Sequence, residues 1–214
     1  MTKFSNPYES QRWKTSTGLM RPGGLELTQH LLEWSGLRRG ARILDLGCGR
    51  GAATAYVANA GFEVVGMDQS AALLKEARER YPHLTFIEGD ATAIPFASKT
   101  FDAVLLECVL SVASTGEILA ECARVTGPKG LLMISDVYDR DGVDGPLSQA
   151  WWKTQLEANG FYTTYFEDRV RDLQRFAAQL LWETGSLNHL CGCIGFKMPP
   201  RPSYFLQIAR QEDG

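Results

Sequence analysis

The sequence has no apolar run approaching the roughly 18 residues that a membrane-crossing helix needs, so no membrane partner is expected. Its opening residues, MTKFSNPYESQRWK, lack the apolar core of a secretory signal, and a cytoplasmic protein is expected. Basic residues are not gathered into a run: 22 Lys and Arg are scattered among 25 Asp and Glu, for a formal charge of −3. Without a concentrated positive field nothing holds a polyanionic backbone, and nucleic acid is not expected as a partner. Cysteine is odd in number, at Cys48, Cys108, Cys122, Cys191 and Cys193. With no export signal these are expected to be thiols and not a disulfide framework. The Cys191-x-Cys193 pair lacks the second pair that a metal site would need, and no metal is expected.

What is present is close to the globular average, with 44% hydrophobic and 22% charged residues. A chain of 214 residues is long enough for one α/β domain with a core and short for two. Residues 1–40 read as an N-terminal arm followed by a leader helix over 25–34, stopped by Gly36 and Gly40. From residue 42 two patterns alternate. Strands are expected over 42–47, 63–68, 84–88, 101–107 and 131–136, with helices over 52–60, 71–80 and 117–125. That alternation predicts a parallel sheet with helices on both faces. The strand cores ILDL, VVGM, AVLL and LLMI are continuous apolar runs, as strands buried on both sides require. Further on, a helix over 147–159, a strand over 161–167, a helix over 170–183 and a strand over 204–209 are expected. The stretch over about 170–202 is long for a connection between strands and reads as an insert in a domain of 41–214.

Chemistry concentrates first at Asp45-Leu46-Gly47-Cys48-Gly49-Arg50-Gly51, which closes a strand and opens a helix. Glycines there allow a sharp turn and close approach of a ligand to the peptide groups, beside the positive end of a helix dipole. The spacing G-x-G-x-G departs from the G-x-G-x-x-G of a pyrophosphate site. Asp68 ends the next strand at about the separation, some 20 residues, at which an acidic side chain meets a ribose diol. An Asp68-Gln69-Ser70 helix cap is the competing reading.

In order, ILDLGCGRG, VVGMDQS, FIEGDATAIPF, FDAVLLECVLSV and ECARVTGPKGLLMISDVY resemble the successive motifs of class I S-adenosylmethionine (SAM)-dependent methyltransferases. The likeness is greatest to the ubiquinone/menaquinone-type branch and covers residues 41–138. It implies a Rossmann-like, mostly parallel seven-stranded sheet whose last strand is antiparallel. It also implies a methyltransferase acting on a small molecule, with S-adenosylhomocysteine as product. By the resemblance, Asp45 and the turn of Gly47, Cys48, Gly49 and Gly51 hold the amino-acid end of SAM. Asp68 holds the ribose hydroxyls, Gln69 lies beside the adenine, and Asp90 with Ala91 meets its amino group. A turn aspartate is the plainer reading of Asp90. Glu107 is placed at the methionine part, and Arg21, upstream, at the cofactor carboxylate.

The acceptor is not named by the sequence. The carboxyl ends of parallel strands put Glu107, Cys108, Asp136 and Tyr138 near the transferred methyl group. Amino-nitrogen methylation of the kind marked by Asn/Asp-Pro-Pro-aromatic is disfavoured, since that position reads Glu107-Cys108-Val109-Leu110. Glu107, Asp136, Tyr138 and His189 are the candidate bases, none assigned as catalytic. The 170–202 insert, carrying His189, Cys191 and Cys193, is the candidate lid, with packing the plainer role for its thiols. A SAM-binding regulator without acceptor chemistry and a nicotinamide-dependent oxidoreductase are the rival readings. The oligomeric state is left open between monomer and homodimer.

Overall fold

The computed structural model describes residues 21–185 and 199–212. The arm over 1–20 and the His189–Cys191–Cys193 part of the insert therefore lie outside the described residues. The elements, in chain order, are α1 (Gly24–Ser35), β1 (Arg42–Leu46), α2 (Ala52–Asn59), β2 (Glu63–Asp68), α3 (Ala71–Arg80), β3 (Thr85–Glu88) and β4 (Ala103–Glu107). They continue with α4 (Thr115–Thr126), β5 (Leu131–Asp139), α5 (Gln149–Glu157), β6 (Phe161–Asp168), α6 (Val170–Thr184) and β7 (Pro202–Gln211), and a 3-10 turn over Leu110–Val112 links β4 to α4.

Seven strands form one sheet in the order β3-β2-β1-β4-β5-β7-β6. β1 to β5 pair in parallel, while β7 runs antiparallel between β5 and β6. The expected mixed sheet is thus present. Its central strands carry the continuous apolar runs: Ile43, Leu44, Ala103 to Leu106 and Leu131 to Ile134 are all buried. From β1 the chain steps one way to β2 and β3, then returns to the far side of β1 as β4. Right-handed crossovers taken in opposite directions place α2 and α3 on one face and α4 on the other. Between β1 and β4 lies the switch point, the place at which open α/β sheets take ligands at the carboxyl ends of their strands.

Caps set several helix starts. The Ser70 hydroxyl accepts a hydrogen bond from the Leu73 N–H at 3.2 Å, and Ser148 does the same for the Trp151 N–H at 3.1 Å, satisfying first-turn donors. α6 fills the first half of the expected insert. It is a sheet-covering helix, with Leu173, Phe176 and Leu180 buried and contacts to β7. Residues 186–198, the stretch beyond it, lie outside the described residues. Among the described residues no helix is long and apolar enough to cross a membrane.

Candidate active site

The glycine turn follows β1 directly. Gly47, Gly49 and Gly51 all have positive φ, at +77°, +52° and +78°, a region that costs a side-chain-bearing residue roughly 1–2 kcal/mol. The three sit in different surroundings. A Cβ on Gly47 would lie 2.5 Å from Val109 Cγ2, and one on Gly51 would lie 2.6 Å from Phe86 Cζ, whereas one on Gly49 would meet nothing within 4 Å. Gly47 and Gly51 are therefore glycines for packing, whereas Gly49 has open space beside its Cα. The turn's own donors are used internally: Gly47 and Cys48 N–H both reach Met67 O, and Gly51 N–H reaches Cys48 O. Gly49 N–H donates to Asp68 Oδ2 at 2.8 Å. A turn so satisfied is poorly equipped for a pyrophosphate, which needs several such donors at once.

Below the turn lies an acidic floor. Asp45 is 2% exposed and accepts a hydrogen bond from the Thr54 hydroxyl at 2.6 Å. Burial, with the Glu107 carboxylate adding to it, pushes the Asp45 pKa up to about 7. At the tip of β4, Glu107 forms a buried ion pair with Arg21 at 2.6 Å. Thr28 links the two, accepting from Arg21 at 2.5 Å and donating to Glu107 at 3.0 Å. Burial also raises the Glu107 pKa, with Arg21 and then Thr28 pulling it back. Arg21 and Glu107, read from sequence as two separate contacts to a ligand, are thus brought against one another. Thr28 and Thr54 escaped the sequence reading, since a threonine in a helix carries no signal until its partner is known.

At the tip of β2, Asp68 accepts from Gly49 N–H and, through Oδ1, from Ser70 N–H at 2.9 Å. Ser70, not Asp68, is the cap of α3, and the carboxylate ties the glycine turn to the β2 tip. Gln69 is exposed beside it, and Ala91 is half-buried. Asp90 is exposed and forms a turn, its Oδ1 accepting from both the N–H and the hydroxyl of Thr92 at 2.8 Å. These bonds hold its pKa below the usual carboxylate range. Cys48 is buried against Leu74, Ala77 and Phe86, and burial pushes its thiol pKa up.

On the acceptor side the candidate bases are already engaged. Asp136 is fully buried. It accepts from Ser111 N–H at 3.0 Å, which clamps the 3-10 turn after β4, and from Val137 N–H at 2.8 Å. Burial pushes its pKa up to about 6. Tyr138 donates its hydroxyl to Asp168, which also accepts from Ser203 at 2.9 Å. Burial followed by that carboxylate raises the phenol pKa, so Tyr138 stays protonated at neutral pH. Cys108 has φ +58°, and its Sγ lies 3.1 Å from Tyr204 Oη, which donates to Ser135 Oγ at 3.0 Å. Tyr204 and Ser135 are further residues that the sequence reading missed. Among the described residues no group of three or more His, Cys, Asp and Glu is placed to hold a metal ion.

Residues 44–134 match the methyltransferase domain family, a stretch running from inside β1 to inside β5. Over that stretch the chain is similar to methyltransferase domains. The chain is 43% identical over 98 residues to demethylmenaquinone methyltransferase of Renibacterium salmoninarum, covering 45% of this chain and 41% of that protein. With coverages of 44% and 39% for two further demethylmenaquinone methyltransferases, the matched stretch spans about two-fifths of the length of these curated relatives. The fold superposes on the [4+2]-cyclase SpnF with a TM-score of 0.74 at 22% identity, covering 88% of this chain and 82% of that one. It also superposes on a geranyl diphosphate C-methyltransferase from Streptomyces coelicolor, solved with Mg2+, geranyl-S-thiolodiphosphate and S-adenosyl-L-homocysteine. There the TM-score is 0.74 at 15% identity, covering 88% and 76% of the two chains. At such identities the likeness concerns the fold alone.

Proposed function

We propose that the chain binds SAM over the 47–51 turn and the tips of β1, β2 and β4 and transfers its methyl group to a small-molecule acceptor. The observation that carries this reading is electrostatic. Two buried carboxylates, Asp45 and Glu107, feel each other's charge at the switch point, and the guanidinium near them, Arg21, is paired with Glu107. With both carboxylates ionised the cluster is one positive charge short, a demand that the ammonium group of an amino acid meets. In this reading Asp45, Glu107 and Arg21 hold the amino-acid end, with Gly47, Cys48, Gly49 and Gly51 shaping the approach. Asp68 takes the ribose hydroxyls, and Gln69, Asp90 and Ala91 frame the adenine.

Bound SAM supplies an electrophilic methyl carbon, and its leaving group needs no proton. The chain's task is then alignment and exclusion of water, with a base required only where the acceptor must lose a proton. Since Tyr138, Asp136 and Glu107 are each held in other bonds, the proposal assigns no catalytic base to them. The names of the curated relatives make a quinol or phenol ring the first acceptor class to try. A cytoplasmic location without nucleic-acid partners belongs to the same proposal, supported by the scattered basic residues.

Titration calorimetry with SAM tests the cradle. Asp68→Ala is expected to weaken binding at least tenfold, while the thermal midpoint falls by no more than a few degrees. Unchanged affinity in that variant would remove Asp68 from the site and the cradle with it. Radiolabelled methyl transfer to quinol and phenol acceptors then separates an enzyme from a SAM-binding regulator.

A further inference from the structure

At the amino ends of the parallel strands, opposite the switch point, a cavity of about 400 Å³ lies between the end of α1 and the turns that lead into β1, β4 and β5. Ala41 lines it just before β1, and the glycine turn follows the other end of that strand. The five residues of β1, at about 3.3 Å each, set the two places roughly 15 Å apart.

The charged lining is Arg38 after α1, Asp102 before β4, Lys129 before β5 and Arg210 near the end of β7. Arg38, Asp102 and Lys129 are exposed and Arg210 is half-buried, so none of the four is sealed from the cavity. The Arg210 head group is fixed at the wall. Its Nη2 donates to Ser35 O at 3.2 Å and lies 4.0 Å from where a Cβ on Gly36 would stand, and Ser35 and Gly36 both line the cavity. That bond covers a carbonyl at the end of α1, which is the structural role of the side chain. A guanidinium carries several further N–H donors, so this role does not exhaust it.

Among the described residues neither Arg38 nor Arg210 forms an ion pair. Asp102 is tied to the backbone, its Oδ2 accepting from Arg42 N–H at 2.7 Å, and the Arg42 guanidinium has Glu63 at 3.8 Å. Lys129 follows α4, whose carbonyl end is negative, and is left out of the count. Two guanidiniums then stand against one carboxylate and about half a negative charge at the end of α1. The balance is positive, in a chain whose formal charge is −3.

We infer that this cavity is a second ligand site, which binds a small phosphate monoester through N–H donors of Arg38 and Arg210. A guanidinium holds an oxyanion by two parallel hydrogen bonds. Two of them, arriving from different elements, offer more donors than the two oxygens of a carboxylate can face at once. The volume is at the lower end for ligand pockets and leaves room for a short organic part beside the phosphate. The inference stands apart from the SAM reading, since none of these residues belongs to that cradle.

Inorganic phosphate and acetate are the probes, titrated calorimetrically into the full chain with sodium chloride holding the ionic strength constant. Phosphate is expected to bind in the millimolar range and acetate at least tenfold more weakly, while saturating SAM leaves the phosphate affinity unchanged. Arg38→Gln and Arg210→Gln are each expected to weaken phosphate binding at least threefold. Asp102→Asn, which keeps an acceptor for Arg42 N–H, is expected to tighten it by a similar factor, a gain that a purely structural role would not give. Phosphate that never saturates, acetate binding as tightly, or displacement of phosphate by SAM would each overturn the inference, and all three are read on the wild-type chain. Undiminished affinity in Arg38→Gln or in a folded Arg210→Gln chain would overturn it too, as would an Asp102→Asn chain that binds phosphate no more tightly.

Discussion

In the proposed site, Asp45 is the side chain through which the fold and its ligand would be coupled. An acid whose pKa is higher in the folded than in the unfolded chain binds more protons when folded. Asp45, raised from 3.8 to about 7, and Asp136, raised from 3.8 to about 6, therefore oppose folding once ionised. That opposition is greatest above pH 7 and is relieved as pH falls toward the unfolded value. Glu121 and Asp168 are shifted the other way; their contribution persists above their unfolded values and is lost only in acid. Unfolding free energy from urea titration is thus expected to rise by on the order of 1–3 kcal/mol from pH 8 to pH 5.5. Asp45→Asn should flatten that slope, and a stability that declines steadily over the same range would refute the assignment. An ammonium beside Asp45 favours its ionised form, so SAM affinity is expected to increase by up to about tenfold per unit as pH rises toward 7 and to level off above it. Calorimetry at three pH values reads that slope directly.

Among the elements, the glycine turn separates packing from ligand contact. Gly51→Ala places a methyl group 2.6 Å from Phe86 Cζ and 3.2 Å from Ala77 Cβ, at φ +78°, and the overpacking adds roughly 1–3 kcal/mol to the conformational cost. Gly49→Ala meets no neighbour and carries the conformational cost alone. Differential scanning fluorimetry should show a drop of a few degrees for Gly49→Ala and clearly more for Gly51→Ala. SAM affinity should nonetheless fall at least tenfold in Gly49→Ala, because in the proposed site its new methyl group stands where the ligand would approach. A Gly49→Ala chain that binds SAM normally would show that the cradle lies elsewhere.

The same elements show what a sequence can disclose. Continuous apolar runs marked β1, β4 and β5, because burial on both faces leaves such a signature, whereas the mostly exposed or half-buried β6 carries none. Helix ends shifted by a residue or two, as at α5, where Ser148 and not Leu147 sets the start. The 3-10 turn over Leu110–Val112 was not legible, since the carboxylate that clamps it, Asp136, is 25 residues away from Ser111 in the chain. In the same way Arg21 and Glu107 announce themselves as charges, while their pairing, and the place of Thr28 between them, exists only once α1 is packed on β5 and β7. Arg210 is the sharper case: a cation near the end of a strand predicts nothing until the cavity beside it is known.

For the molecule as a whole, β7 decides whether the far half of the sheet exists. It pairs with β5 over nine residue pairs and is the ladder partner of β6, so β6 and the aromatic layer under α5 depend on a strand made from the end of the described chain. Tyr204, Phe205, Leu206 and Ile208 are each no more than 1% exposed. At about 1.5–3 kcal/mol for each large side chain buried, these four supply roughly 6–12 kcal/mol, comparable with the 5–15 kcal/mol by which a whole domain is stable. A chain ending at residue 198 is therefore expected to lose its cooperative thermal transition and to aggregate through the bared edge of β5. Residues 44–134, the matched methyltransferase stretch, remain intact in such a chain. If it instead melts cooperatively within a few degrees of the full chain, the parallel half of the sheet is a self-sufficient folding unit. SAM binding to that truncated chain would then locate the whole cradle, Arg21 included, on the β3-to-β5 side of the molecule.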